Sequence, residues 1–254
     1  MATIKEVYNY LCDIAPLELQ MDFDNSGFLI GREEQTVTKI LLALDVTDAV
    51  VSEAREIGAE LIVSHHPVIF APLKSVTDSN AGTRRILELI ENRIGVISMH
   101  TNLDAAEGGV NDVLAAKFCS ELSEHRLEGC GRIGRLDNAV TMREFLTLCG
   151  EKLHTKGIRY YDCGRKVSKL AVLGGSGASS LLEAYSFGCD TLLTADVKYH
   201  QFQQAAELGM NLVDADHYYT ENPVMQVLAD KLKKEFSGLC VKVSERHDAL
   251  IDFA

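Results

Sequence analysis

Short apolar runs alternate with amphipathic stretches along most of this 254-residue chain, and that alternation narrows the fold more than any single motif. Lys39–Asp45 (KILLALD) is rich in strand formers, and Thr47–Ile57 behind it has helical periodicity with Thr47 as its N-cap. Glu60–Ser64 reads as a buried parallel strand, Thr83–Arg93 as a helix, Gly95–Met99 as the next strand and Val110–Phe118 as the next helix. Thr141–His154 opens on Thr141-x-x-Glu144, a capping-box pattern. Leu170–Leu173, Thr191–Leu193 and Asn211–Val213 read as strands, followed by helices near Ser179–Phe187, Val197–Leu208 and Glu221–Phe236. Leu239–Val243 is a candidate final edge strand. This order predicts an α/β fold of two similar, interlinked lobes with mostly parallel sheets. The charged, glycine-containing stretch Glu128–Asn138 marks the expected boundary, giving lobes of residues 1–127 and 128–254.

Composition excludes several classes. The chain carries 25 basic and 37 acidic residues, a net charge of −12, which argues against nucleic acid and anionic membrane as partners. No apolar run is long enough to span a bilayer. The opening MATIKEVYNYLCDIAP lacks the order of a secretory signal, so the expected location is cytoplasmic. The seven cysteines form no CxxC pair, and most are expected to be small core residues in a reducing compartment.

Three strand ends concentrate the chemistry. Ser64-His65-His66-Pro67 sets two imidazoles directly after a strand, in extended geometry because of Pro67. Alternation along an extended segment suits two neighbouring metal ions better than one; the plainer reading is one capping and one exposed histidine. His100-Thr101-Asn102-Leu103-Asp104 brings a carboxylate to the next strand end, where Asp104 alone would read as a helix N-cap and His100 as a supporting or structural residue. Asp214–Glu221 supplies His217 and Glu221, with the helix starting near Thr220 because Pro223 belongs in a first turn and His217 left in the preceding turn. A solvated acidic turn is the alternative there. Together His65, His66, Asp104, His217 and Glu221 offer three imidazoles and two carboxylates, an inventory suited to two divalent ions about 3.5–4 Å apart.

On these motifs the chain resembles the dinuclear-metal-centre hexameric family, the NGG-interacting-factor-like group that includes GTP cyclohydrolase 1 type 2 homologues. Asp22-Phe23-Asp24-Asn25-Ser26-Gly27 is similar to that family's N-terminal signature, and the two histidine motifs and His217-x-x-x-Glu221 match in order. The resemblance spans essentially the whole chain. It implies an α/β fold with the metal site at strand C-terminal ends between the lobes, two divalent ions (zinc, manganese or iron) and a toroidal homohexamer. It carries metal ligation onto His65, His66, Asp104, His217 and Glu221. Phe23 stands where the family usually has tryptophan, and Asp216 and Tyr218 flank His217 where glycine and a second histidine are common. Thr194–His200 is similar to a further family motif, though His200 reads most simply as a surface histidine.

The activity that the resemblance implies is water attack on guanine C8 with release of formate, on a small-molecule substrate of the purine nucleotide class. His100 and Glu107 are the candidate proton carriers by position. Another metal-dependent phosphohydrolase and a non-enzymatic metal-binding scaffold or regulator remain open beside it. The Gly174-Gly175-Ser176-Gly177 loop lacks the P-loop pattern and reads first as a strand-to-helix turn, with a phosphate cradle as the alternative. Lys74, Lys198, Arg84 and Arg85 are candidate partners for phosphate oxygens.

Overall fold

The computed structural model describes residues 2–253, which divide into two compact units. The first comprises Met1–Glu107 with Met225–Asp248, and the second Gly108–Val224 with Ala249–Ala254. The chain therefore crosses between units at Glu107–Gly108, Val224–Met225 and Asp248–Ala249. The stretch Glu128–Asn138 lies within the second unit, in the hairpin of strands Glu121–Leu127 and Gly131–Val140. Its glycines serve a turn, with Gly129 at φ +75°.

In the first unit, strands Cys240–Val243, Lys39–Ala43, Leu61–Ser64 and Gly95–Ser98 pair in parallel, and Gly27–Ile30 closes the edge antiparallel. Leu41, Ala43, Ile62 and Val96 pack on helices Asp48–Ile57 and Ala81–Glu91 through Val50, Ala54, Ile86 and Leu89. Ile40, Leu42, Leu61, Val63 and Ile97 are also fully buried, so both faces are covered. That burial explains why these strands read as continuous apolar runs. Thr47 caps its helix as expected, accepting from Val50 N, and Asn80 caps Ala81–Glu91. The helix Ile4–Ile14, held by a capping box between Thr3 and Glu6, was not anticipated.

The second unit has a six-stranded sheet in the order Glu121–Leu127, Gly131–Val140, Val167–Val172, Thr191–Thr194, Asn211–Asp214, Arg159–Tyr161. Its three inner strands Val167–Val172, Thr191–Thr194 and Asn211–Asp214 are parallel, and the flanking pairings are antiparallel. The α/β class holds, with a parallel core and antiparallel edges here. Period-2 alternation divides the core cleanly. Leu170, Val172, Leu193 and Val213 face Phe145, Cys149 and Leu114, while Ala171, Leu192 and Leu212 face Leu181, Ala184 and Ala205.

No helix among the described residues is long and apolar enough to cross a membrane. All seven cysteines are free; Cys130, Cys149 and Cys189 are buried, three are half-buried and Cys240 is exposed. Burial pushes the Cys149 thiol up to about 12 and those of Cys119 and Cys189 to about 11, which makes all three inert at neutral pH.

Candidate metal centre

The first unit gathers three imidazoles at the carboxyl ends of adjacent parallel strands. His65 and His66 follow Leu61–Ser64, and His100 follows Gly95–Ser98. One nitrogen from each lies within 4.8 Å of the other two. The rings of His65 and His66 stand 4.9 Å apart, so they converge instead of pointing to opposite sides. The strand ends at Ser64, whose hydroxyl donates to His66 O and turns the chain there.

Each ring is held at Nδ1. His65 Nδ1 donates to Met99 O at 2.8 Å, His66 Nδ1 to Asp45 Oδ1 at 2.7 Å and His100 Nδ1 to Asp24 Oδ1 at 2.7 Å. A carbonyl or carboxylate only accepts, so the proton sits on Nδ1 and the neutral ring carries its lone pair on Nε2. Asp24 also accepts from Thr101 N, Thr101 Oγ1 and Ser26 Oγ. Burial opposes its charge, but the bonds from His100, Thr101 and Ser26 win and hold its carboxyl well below the usual range. Asp45 is held low in the same way against its burial, by His247 and His66. His247 Nε2 donates to Asp45 Oδ2 at 3.0 Å. Asp104 lies inside the short helix Thr101–Ala105, not at its cap, with Oδ1 3.6 Å from His65 Nε2. Glu107 is exposed just beyond that helix.

In the second unit His217 and Glu221 belong to one short helix, His217–Glu221, and Pro223 starts the next. The helix begins three residues earlier than expected because Asp216 caps it, accepting from Tyr218 N at φ +73°. His217 Nδ1 donates to Asp196 Oδ2 at 2.8 Å, and Nε2 lies 3.0 Å from Glu221 Oε2. Burial pulls the imidazole's pKa down, but Glu221 and Asp196 overcome it and raise it to about 9. Glu221 is buried.

The glycine loop serves this pair. Gly175 has φ +64°, and a Cβ there would stand 2.1 Å from Glu221 Oε1. Three of the loop's four N–H groups are already used: Gly174 N donates to Asn111, Gly175 N to Thr220 and Gly177 N to Thr194. That favours a turn over a phosphate cradle, which needs several free N–H groups. Arg84 and Arg85 both pair with Asp48, and His200 and Lys198 are exposed.

The donor set fits divalent cations. Imidazoles fixed through Nδ1 by acceptors are the usual form of metal-binding histidines. Separations of 3.0–3.6 Å between Nε2 and a carboxylate oxygen match two donors sharing one ion at bonds of about 2.0–2.2 Å. Asp24 and Asp196 were noted only within motifs, and Asp45, which holds His66, and His247, which holds Asp45, were missed. Two of them had a signal, since LALD and LTAD place an aspartate at or just past a strand's carboxyl end.

Parallel-cored α/β units whose strand ends carry Nδ1-anchored imidazoles beside carboxylates define a candidate metal-binding α/β protein. The chain belongs to the Duf34/NIF3 (NGG1p interacting factor 3) family, whose model matches residues 2–249. It is 36% identical to a GTP cyclohydrolase 1 type 2 homolog of Clostridium perfringens, over 92% of this chain and 93% of that one. It is 34% identical to the GTP cyclohydrolase 1 type 2 of Helicobacter pylori strain J99, over 91% and 92%. The solved structure of Staphylococcus aureus protein SA1388 matches with a TM-score of 0.89 at 27% identity, covering 100% of this chain and 99% of that one.

Proposed function

We propose that this protein is a dinuclear-metal-dependent hydrolase that opens the guanine ring of a purine nucleotide and releases formate. The names of the relatives support the substrate class, and the donor chemistry supports the metals. The observation that carries the reading is the shared anchoring of His65, His66, His100 and His217 through Nδ1, which leaves Nε2 as the donor atom in every case, a bound ion taking the place of the proton that Glu221 favours on His217. In this reading His65, His66, Asp104, His217 and Glu221 hold two ions of zinc, manganese or iron. When bound, the ions activate water and stabilise developing negative charge on oxygen.

The chain's own residues do the rest. Asp45, Asp196 and the Met99 carbonyl keep three rings in the tautomer that offers Nε2. His100, held by Asp24, accepts the proton of the attacking water at Nε2 and returns it to the departing nitrogen. Glu107 is the second candidate for that transfer. By family resemblance the protein works as a toroidal homohexamer, and light scattering that found a stable monomer would contradict this.

The test uses metal-loaded protein, a nucleotide panel including GTP, and His66→Ala as control. Formate from GTP that disappears in the control is expected. Phosphate without formate would move the function to a phosphohydrolase. Neither product from fully loaded protein would favour a metal-binding scaffold. Slower turnover in His100→Gln with Glu107→Gln unaffected would assign the proton transfer to His100.

A further inference from the structure

Phe23 and Phe70 are 63% and 51% exposed, and they meet beside His100 in the first unit. Single exposed apolar side chains are ordinary on a protein surface. This pair differs in three respects. The two rings come from segments distant in sequence, yet their centroids are 6.4 Å apart, tilted by 58°. Their roots are tied down: Asn25 Nδ2, two residues past Phe23, donates at 2.6 Å to the carbonyl of Ile69, the residue before Phe70. Asp24, adjacent to Phe23, is locked by His100, Thr101 and Ser26. Finally, Phe70 stands edge-on to the His100 ring, 6.2 Å away at 80°.

A tilted pair of this kind cannot cover its own faces. It leaves an apolar, π-rich ledge held in place by its backbone and opening beside one of the three clustered imidazoles. Rigid aromatics of this sort bind planar rings with little loss of conformational freedom. We propose that Phe23 and Phe70 form the stacking platform for the substrate's planar heteroaromatic ring and so determine specificity for a nucleobase. The choice of a purine rests on the reading above; the platform itself rests on the ring geometry. Stacking on the phenyl faces sets one edge of the ring toward His100. Ribose and phosphate, which have no π-face, gain nothing from the ledge.

The chain contains no tryptophan, so Phe23→Trp introduces a single fluorescent reporter that keeps an aromatic face. GMP and ribose 5-phosphate would be titrated into this variant, both metal-loaded and chelator-treated, with metal content measured throughout. Equilibrium dialysis of GMP with wild type, Phe23→Ala and Phe70→Ala would run alongside. We expect GMP to quench the indole and ribose 5-phosphate to leave it unchanged. Each alanine variant should weaken GMP binding about tenfold or more while keeping its metal. Equal response to both compounds, no GMP binding, or alanine variants that bind like wild type would overturn the platform. So would alanine variants that change only the oligomeric state, since the ledge would then be a contact between copies of the chain. Absence of metal from wild type would instead count against the metal reading, and the ring preference would still be readable in the chelator-treated arm.

Discussion

In the first unit three imidazoles are held by acceptors from separate segments: Asp24 before one strand, Asp45 after another and the Met99 carbonyl after a third. In the second, one imidazole and its carboxylate share a five-residue helix, braced by Asp196 and by a glycine whose lack of a side chain makes room for Glu221. The chemistry at the nitrogen is the same in both. The support is distributed in one and concentrated in the other. Losing one brace should therefore weaken the first donor group in part, whereas a change at the glycine should disable the second outright.

The largest effect is expected at Gly175. Gly175→Ala puts a methyl on Glu221 and forces a non-glycine residue to φ +64°, which alone costs about 1 kcal/mol. Metal retention by the folded variant should fall about a hundredfold or more, measured by competition with a chromophoric chelator. Wild-type retention would break the contrast between the two halves. Asp45→Asn removes the charged partner of His66 and should lower metal affinity about 10- to 100-fold. His247→Gln acts only through Asp45, so its effect should be smaller, a few-fold in the same competition. A loss as large as that of Asp45→Asn would mean that His247 supports the His66 ring as much as Asp45 does.

A smaller effect concerns acid stability. Asn111, which holds Gly174 N, lies on helix Val110–Ala116 beside Asp112, and Asp112 pairs with buried Arg132. Burial works against the Asp112 charge, but Arg132 and Gly108 N more than offset it and lower its pKa. A lowered folded-state pKa stabilises the protein above the unfolded value of about 3.9 and is lost as pH falls below it. Asp112→Asn should therefore remove about 1–3 kcal/mol at pH 7 and flatten the pH dependence of unfolding below about pH 4, read by denaturant titration. An unchanged acid profile would sever this helix from the glycine loop's support.

Much of the fold was legible because each parallel strand is buried on both faces and so announces itself as an apolar run. Lys39–Ala43, Leu61–Ser64 and Thr191–Thr194 fall within a residue or two of expectation. The edge strands Glu121–Leu127 and Arg159–Tyr161, mostly exposed, carry no such signal. That the segment Met225–Asp248 joins the first unit was hidden for a related reason: Cys240–Val243 shows strand character, but pairing with Lys39–Ala43 is a tertiary fact. At the site, donor residues could be picked by type and spacing. Their holders could not, since Asp45 reaches His66 and His247 only after folding. His217 was expected in a turn because Pro223 implied a helix start nearby. Two helices meet there instead, each with its own beginning.

The central claim, that His66 in the first unit and Glu221 in the second are metal ligands, is tested most directly by metal stoichiometry. Native mass spectrometry with elemental analysis would be run on wild type, His66→Ala and Glu221→Ala. The account predicts two divalent ions per chain in wild type and loss of metal in both variants, with circular dichroism unchanged. Two ions per chain retained in both variants would contradict it.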